Sequence, residues 1–301
     1  MTLSPPTGSV RLVAIAIVVW IVQPFSAGVV IGKALSDATE SFRTTVSVAA
    51  WIAWLVILLA IVVPRPVTLT IARVGTAGGL IGTLWAAWDV DANHTDAGAA
   101  TLAVGLVASI TAVATVMLPG VADRFLDGVS YGDERRFALR APGPVLVVAL
   151  IPSVLIVIVG LTAGPLLLAD ERWIVGAIVT VVGFGVAWFP LNALHRLTNR
   201  FLVFVPNGLV VHDPTQLREP VLFVKREIAG LAPAPADSTA KDITAAALGL
   251  ALELRFATAT DLSFVTGRTT TDNETVRSLL IAPTRPTAVM ATALERGITI
   301  A

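Results

Sequence analysis

The chain has 301 residues, of which 55% are hydrophobic and 14% are charged, and its formal net charge is zero. Soluble domains carry about 25% charged residues, so this composition excludes an ordinary soluble protein. The chain contains no cysteine, which excludes disulfide bonds and thiolate metal sites. It also contains no basic run of the kind that contacts nucleic acid, so we expect no nucleic-acid partner.

Six apolar stretches fill the first two-thirds of the chain and contain almost no charged residues. Each is close to the ~20 residues that a helix needs to cross ~30 Å of hydrocarbon, and a helix satisfies its own backbone hydrogen bonds in lipid. Because Arg73 lies several residues inside the third stretch, five spans with the third on the membrane surface is the alternative. We predict an α-helical membrane bundle with spans at about 12–35, 46–63, 67–88, 98–118, 145–168 and 173–191.

The positively charged residues predict the orientation of these spans, because cytoplasmic segments of membrane proteins are rich in lysine and arginine. With the N-terminus inside, the outer segments hold only Lys33, Arg43 and Arg172. The inner segments then hold Arg11, Arg65, Arg73, Arg124, Arg135, Arg136, Arg140, Arg196 and Arg200. Tryptophans mark the outer ends of the spans, as interfacial anchors do: Trp51, Trp54, Trp85, Trp88 and Trp173. We expect a multi-pass protein of the plasma membrane, in contact with the lipid bilayer and with both termini in the cytoplasm.

After residue 198 the pattern changes from helical spans to strands, which predicts a transmembrane domain at 1–198 and a small β-rich α+β domain at 199–301. Asn207-Gly208 between two apolar runs is a strong hairpin signal, because both residues tolerate a positive φ. Apolar residues alternate with others from Leu248 to Phe256, which predicts a strand there. A closing helix begins at Pro286 and has an apolar face of Val289, Met290, Ala293 and Leu294.

This order of elements, several antiparallel strands and one helix after a membrane region, resembles the bacterial pleckstrin-homology-like (PH-like) domain. The resemblance covers the tail and is carried by residues 204–213, residues 220–228 and the helix entry at 282–286. The whole layout, with arginine far more common than lysine, is similar to that of multi-pass membrane proteins of actinobacteria. The resemblance implies a cytoplasmic interaction and assembly domain. Phosphoinositide binding does not carry over, because the first hairpin turn has no basic cluster.

The densest polar cluster lies between the third and fourth spans, where Asp89, Asp91 and Asp96 surround Asn93 and His94. Oxygen side chains at alternating positions could hold a divalent cation, and the first three resemble the opening of a calcium loop. The later positions of the loop do not follow that pattern. The alternative is a solvated acidic loop on the outer face.

The longest loop between spans, 119–144, contains two carboxylates that would share one helix face, Asp123 and Asp127. Membrane phosphatidyl-transfer enzymes use paired carboxylates of this kind to bind metal, although the rest of that family's pattern is absent here. Arginines near the inner interface could contact anionic headgroups at about 1 kcal/mol each, or could serve only to set the topology. These headgroup candidates are Arg135, Arg136, Arg140, Arg196 and Arg200.

Small residues at GxxxG spacing predict close helix packing. The packing candidates are Gly28, Gly32, Gly75, Gly79 and Gly82. Packing within the bundle is the favoured interpretation, and a homodimer face is the alternative. Gln23-Pro24 lies in the middle of the first span, where proline frees a carbonyl group and predicts a kink. A substrate path at that kink is the alternative.

The sequence contains no Ser-His-Asp set, metal-binding His pair or phosphate loop, and we expect no cofactor. The favoured function is a non-enzymatic scaffold or a regulatory or assembly subunit. Its β-rich domain would bind a membrane protein partner or a second copy of the chain. One alternative is a transporter or lipid-handling protein, although the span centres hold almost no ionisable residues. Another is an enzyme of envelope or lipid metabolism that uses either Asp123 and Asp127 or the outer acidic loop at 89–96.

Overall fold

The computed structural model describes residues 7–92, 98–267 and 270–300. In these residues six helices are long and apolar enough to cross a membrane, which confirms the six apolar helices expected from the sequence. The third is one uninterrupted helix, although it contains Arg73. The six helices run over Ser9–Ala34, Glu40–Val62, Pro66–Asp91, Ala99–Met117, Val145–Ala169 and Trp173–Thr198.

Local signals set the bounds of these helices. α1 (Thr7–Val22) ends just before Pro24, and a 3₁₀ turn at Gln23–Phe25 separates it from α2 (Ala27–Ala34). α3 (Glu40–Val62) begins where the Thr39 hydroxyl accepts a hydrogen bond from the amide of Phe42. The remaining helices before the tail are α4 (Pro66–Ala92), α5 (Ala99–Met117), α6 (Pro119–Asp127), α7 (Leu150–Ala169, after a π-helical turn at Val145–Ala149) and α8 (Trp173–Thr198).

The chain divides into two compact units, and the division differs from the boundary expected at residue 198. The helical unit lies within Pro5–Val121 and Pro152–Ala193. The β-rich unit includes Ala122–Ile151 in addition to the segment that starts at Leu194. The loop between the fourth and fifth candidate spans is therefore part of the β-rich unit, because it contributes a helix and a strand to it.

The helical unit packs around small residues and one tryptophan. Its largest buried apolar cluster draws on α1, α3, α4 and α5 and comprises Ala16, Trp20, Ile57, Ala60, Ile61, Ala72, Ala112 and Val116. The outward faces of these helices and of α7 and α8 carry exposed apolar side chains, such as Val181 at 75% exposure. Apolar outward faces are what a lipid environment requires.

The β-rich unit is built from two four-stranded sheets and a closing helix. The first sheet is an antiparallel meander in the order β1-β2-β3-β4, formed by Arg135–Ala138, Phe201–Val205, Gly208–His212 and Val221–Val224. The second has the order β5-β7-β8-β6, formed by Ile228–Pro233 (β5), Leu252–Val265 (β7), Thr271–Ile281 (β8) and Lys241–Asp242 (β6). Both sheets and α9 (Pro286–Glu295) enclose one core, which includes Phe137, Phe204, Phe223, Leu254, Leu279 and Val289.

The predicted hairpin is confirmed, since Val205 pairs with Gly208, but its turn residues are Pro206 and Asn207, and neither Asn207 nor Gly208 has the positive φ that the sequence analysis expected. The predicted strand from Leu248 is partly wrong, because β7 begins only at Leu252. Leu248 lies instead in an exposed loop in which Gly249 has a φ of 106°, a backbone conformation that no regular strand adopts. The face predicted for the closing helix is also partly wrong: Val289 and Ala293 are buried, but Leu294 is 64% exposed.

The connection between β1 and β2 is the unusual feature of the first sheet. These strands are neighbours in which Ala138 lies opposite Phe201, yet 62 residues separate the two positions in the chain. Neighbouring antiparallel strands are usually joined by a short turn. Here the connection contains α7 and α8, so the last two candidate spans are inserted between adjacent strands of one sheet.

Candidate functional site

The two carboxylates of α6 cover the free edge of β1. The amide of Arg136 donates to Asp127 Oδ1 at 2.7 Å, and the amide of Ala138 donates to Asp123 Oδ1 at 2.9 Å. The sequence analysis placed both aspartates on one helix face, and that face lies against the strand. An exposed strand edge is open to pairing with another chain, so the two carboxylates close an edge that would otherwise be available.

Asp123 also connects this edge to the entry of α9. Its Oδ2 accepts a hydrogen bond from Arg285 Nη1 at 3.2 Å, and its side chain is only 6% exposed. Burial raises the pKa of Asp123 to about 6, and the Ala138 amide and the charge of Arg285 limit that rise. Burial likewise raises the pKa of Asp127, against the hydrogen bond from the Arg136 amide.

These contacts bear on the enzymatic alternative for the pair. Each aspartate uses an oxygen to satisfy a backbone amide of β1. A metal ion would have to compete with these hydrogen bonds and with Arg285, which holds the other oxygen of Asp123. The geometry assigns the pair a structural role in the β-rich unit and gives no support to catalysis.

Arg200, expected at the lipid headgroups, is instead the most deeply buried cation described in the β-rich unit. Its guanidinium pairs with Asp213 through two hydrogen bonds of 2.9 and 2.6 Å, and the two side chains are 1% and 0% exposed. It also donates to the carbonyl oxygen of Arg140 at 2.8 Å. The headgroup prediction is wrong for Arg200, because its side chain crosses the interior of the unit and has no access to lipid.

The other headgroup candidates all contact protein atoms within the β-rich unit. Arg135 lies over the ring of Phe137 at 5.5 Å, and Arg136 forms an ion pair with Glu134 at 3.2 Å. Arg140 donates to the carbonyl of Leu248 at 2.8 Å, and Arg196 donates to the carbonyl of Pro214 at 3.1 Å. These contacts hold loops and strand ends in place, so contact with headgroups stays a prediction for these four residues.

Part of the acidic cluster between the third and fourth candidate spans lies in a helix and not in the predicted loop. Asp89 and Asp91 belong to the last turns of α4, while Asp96, Asn93 and His94 lie outside the described residues. Residues two apart on a helix point in different directions. Asp89 and Asp91 are therefore poorly placed to share one metal ion.

The first candidate span is broken in its middle, as Gln23-Pro24 predicted. Pro24 has no amide hydrogen for the carbonyl of Trp20, four residues earlier. That carbonyl accepts a hydrogen bond of 3.0 Å from the indole Nε1 of Trp54, on α3. Trp20 returns the contact, since its own Nε1 donates to the carbonyl of Trp54 at 3.0 Å. Trp54 was expected to be an interfacial anchor, but its indole N–H satisfies the carbonyl that Pro24 leaves without a backbone donor.

A buried polar chain lies beside the same break. Gln23 on the 3₁₀ turn, Thr83 on α4 and Ser109 on α5 are at most 6% exposed. The Ser109 hydroxyl lies 3.3 Å from Gln23 Oε1 and 3.0 Å from the Thr83 hydroxyl, which in turn lies 2.8 Å from the Gly79 carbonyl oxygen. Gln23 Nε2 is buried and has no hydrogen-bond partner.

The number of hydroxyl protons limits which atom can donate in each contact of this polar chain. Two hydroxyl protons cannot serve three contacts when the amide of Gln23 only accepts. If the amide is turned so that its nitrogen faces Ser109, every contact has one donor, running from Gln23 through Ser109 and Thr83 to the Gly79 carbonyl. With the amide as the structure places it, Gln23 Nε2 is the unpaired end. An unpaired buried polar group costs about 1–3 kcal/mol, so this group calls for a ligand or solvent partner.

The packing glycines fall into two classes. A Cβ at Gly75 would overlap the side chain of Ile57 on α3, and one at Gly79 would lie 3.3 Å from the ring of Trp20. Nothing lies within 4 Å of a Cβ at Gly32 or Gly82, and one at Gly28 would make only ordinary contacts, 3.5 Å from the carbonyl oxygen of Gln23. The structure therefore uses Gly75 and Gly79 for close approach inside the helical unit.

No family model matches the chain, and no curated protein or solved structure matches it. Within the described residues, no group of three or more His, Asp or Glu side chains is placed to hold a metal ion. The function is therefore inferred from the geometry of the two units.

Proposed function

We propose that the protein is an integral membrane scaffold or regulatory subunit whose β-rich unit is a cytoplasmic interaction module. The observation that carries this proposal is the insertion of α7 and α8 between the neighbouring strands β1 and β2. A module with this insertion is not joined to the membrane helices by a single flexible linker. It is continuous with the fourth, fifth and sixth candidate spans through three separate chain connections.

The contacts at the ends of the insert support a role in coupling. The amide of Leu139 donates to the carbonyl of Arg200 at 2.9 Å, which extends the pairing of β1 and β2 into the insert. The guanidinium of Arg200 also donates a hydrogen bond to the carbonyl oxygen of Arg140, at the start of the insert. A partner that shifts β1 against β2 would therefore change the spacing of the chain ends that lead into α7 and out of α8.

The order of elements in the β-rich unit supports the proposal of a PH-like interaction domain. The arginines of the expected inner segments support a cytoplasmic location for this domain. The partner surface that we propose is a groove of about 580 Å³ between the β2–β3 turn and the residues that follow α9. Lys225 and Arg226 line it beside Asn207, and neither cation forms an ion pair in the described part of the chain. An acidic segment of a membrane protein partner, or of a second copy, fits this charge.

The test uses the full-length protein in native membranes. A photo-crosslinking residue replaces Asn207 in the groove, and a matched protein carries it at Asp237, an exposed loop position away from the groove. We expect one abundant adduct that forms only from position 207 and disappears in Lys225→Glu/Arg226→Glu. Arg277→Glu, which reverses a charge on exposed β8, should keep the adduct. If position 207 gives no adduct and the protein purifies alone, the scaffold proposal is wrong.

A second candidate function, the passage of small neutral polar molecules through the helical unit, is favoured by the unpaired amide of Gln23. Broken helices with freed polar groups are a common way to build binding sites at membrane depth. The nearest ionisable residue along α4 is Asp89, six residues or about 9 Å from Thr83 at 1.5 Å per residue, so the site suits neutral groups.

Water exchange at the Gln23 amide tests this second candidate. The chain contains only two glutamines, Gln23 and Gln216, so ¹⁵N-glutamine labelling yields two side-chain amide signals. If solvent reaches the break, magnetisation should transfer from water to both amides. Transfer to Gln216 alone would show that the centre of the helical unit is dry and would remove this candidate.

A further inference from the structure

The loop between β6 and β7 exposes leucines without any charged neighbour in the loop. Residues 243–251 read Ile-Thr-Ala-Ala-Ala-Leu-Gly-Leu-Ala. Leu248 is 63% exposed and Leu250 is 47% exposed, whereas Ile243 at the base of the loop is 2% exposed and belongs to the core. Neighbouring exposed apolar side chains mark sites of contact with protein or membrane, so this composition points to an apolar environment at the tip of the loop.

The loop is held in a fixed shape. The amide of Thr244 donates to Asp242 Oδ1 at 2.7 Å, and the amide of Ala247 donates to the carbonyl of Thr244 at 3.2 Å. Ala245 and Ala246 both have a positive φ, of 54° and 56°, which is costly for residues with a Cβ. A strained conformation persists only where surrounding contacts enforce it, so the exposure of the two leucines is built into the fold.

The contacts that fix the loop come from the chain segment that leads into α7. Arg140 donates to the carbonyl of Leu248, and its guanidinium occupies the space that a Cβ on Gly249 would fill. Gly143 lies so close to the carbonyl of Ala246 that a Cβ there would overlap it. The tip of the loop is therefore attached next to the first turn of a candidate span.

That first turn is itself apolar and exposed. Val147 is 70% exposed and Val148 is 71% exposed, in the π-helical turn that begins the fifth candidate span. These side chains belong to the same compact unit as Leu248 and Leu250. The loop and the first turn of the span thus provide apolar side chains from two segments that are held together by Arg140 and Gly143.

We infer that residues 245–250 form a bilayer-docking loop, which inserts Leu248 and Leu250 into the boundary between lipid headgroups and acyl chains. Lipid is the occupant because the loop is fixed to Arg140 and Gly143, a few residues before a candidate span whose first turn exposes Val147 and Val148. Interfacial binding grows with buried apolar area. Residues 243–251 contain no charged side chain, and the Arg140 guanidinium at the Leu248 carbonyl suits the level of anionic headgroups. This inference rests on the proposed membrane insertion of the helices.

The absence of cysteine makes a labelling test direct. Single cysteines are introduced at Leu248, at Val148 as the marker of the span, and at Leu222, which is 50% exposed on β4 of the same unit. Each full-length protein is labelled with an environment-sensitive nitrobenzoxadiazole dye and reconstituted in phosphatidylcholine–phosphatidylglycerol vesicles. Lipids with a nitroxide near the top of the acyl chain then quench any dye that lies in the boundary region.

We expect blue-shifted emission and strong quenching at positions 248 and 148, and neither effect at position 222. Quenching at 148 without quenching at 248 would overturn the docking loop while leaving membrane insertion intact. Absence of quenching at 148 would contradict membrane insertion itself. A blue shift at 248 without quenching by lipid would show that protein covers the loop, which also overturns the inference. A Leu250→Cys protein repeats the measurement if the Leu248→Cys protein does not fold.

Discussion

Trp20 and Trp54 exchange two hydrogen bonds, each from an indole nitrogen to the other residue's backbone carbonyl and each 3.0 Å long. The pair joins α1 to α3 at the point where Pro24 removes a backbone donor. Polar backbone groups inside a membrane must be satisfied by the protein. The break in the first span is therefore tolerated because a side chain of the second span supplies the missing donor.

Replacing Trp54 by Phe should destabilise the helical unit. Pro24 has no amide hydrogen for the Trp20 carbonyl, and this change also removes the indole N–H that donates to that carbonyl. We expect a loss of about 1–3 kcal/mol, measured as a lower midpoint of thermal unfolding in detergent. Trp51→Phe is the control, since Trp51 is 54% exposed on the same helix. Adding Pro24→Ala should recover part of the loss by restoring the backbone donor. Equal effects of Trp54→Phe and Trp51→Phe would contradict this role.

Asp123 should make the stability of the β-rich unit depend on pH. Burial raises its pKa from 3.8 to about 6, so the folded state binds this proton more tightly than the unfolded state. Its contribution to stability is therefore fully present below pH 3.8 and is lost as the pH rises through 6, by up to about 3 kcal/mol.

Asp123→Asn is neutral at every pH and keeps an oxygen for the Ala138 amide, so it should flatten this dependence. Urea unfolding of the full-length protein between pH 3.5 and 7, which brackets the two pKa values, measures it, with Asp237→Asn as a control on the exposed loop. Because Arg285 lowers the pKa of Asp123, Arg285→Met should move its titration to higher pH in ¹³C spectra of labelled aspartate. A titration of Asp123 near pH 4 would refute the burial argument.

Arg200→Met should be among the most damaging single changes to the β-rich unit. It leaves the carboxylate of Asp213, whose side chain is 0% exposed, without its cation. Breaking a buried pair in this way costs about 3–5 kcal/mol. The matched change Arg255→Met breaks a partly exposed pair with Glu253 and should cost at most about 1 kcal/mol. Limited proteolysis of the full-length protein with rising urea compares the two, and similar resistance would argue against a central role for Arg200.

Gly75→Ala and Gly82→Ala separate a packing glycine from an incidental one on the same helix. A Cβ at position 75 would overlap Ile57, whereas position 82 is open. We expect Gly75→Ala to cost about 1–3 kcal/mol and Gly82→Ala to be neutral or slightly stabilising by up to about 1 kcal/mol. Thermal midpoints in detergent decide between them. Adding Ile57→Ala should restore part of the loss at position 75 and have no such effect at position 82.

The elements that sequence patterns predicted are those with local signals. Apolar length marked the six helices, and Asn207-Gly208 marked the hairpin. β1 was not predicted because it has only four residues, two of which are arginines. It forms a strand because it pairs with Phe201–Val205. The alternation that predicted a strand at Leu248 was real, but it reflects an exposed apolar loop. Exposure of this kind becomes visible only when the tertiary structure shows which side chains the core leaves uncovered.

The candidate sites follow the same logic. The shared face of Asp123 and Asp127 was predicted from their spacing, but their partners, two amides on β1, are set by tertiary structure. Arg200 follows the last span, as interfacial arginines do, and only the fold shows that its side chain turns inward to Asp213. Gln23 was identified from its place in the first span, while the hydroxyls that meet it come from α4 and α5.

The insertion of α7 and α8 between β1 and β2 also dictates an order of events during synthesis. β1 leaves the ribosome before α7 and α8, but its partner strand begins 63 residues after Ala138. Until both helices and the strands that follow them have been synthesised, α6 and β1 have no sheet to join and the aromatic side chain of Phe137 has no core. Completion of the β-rich unit thus requires that both helices have been synthesised, and a chain stalled in between would carry an unpaired β1 strand.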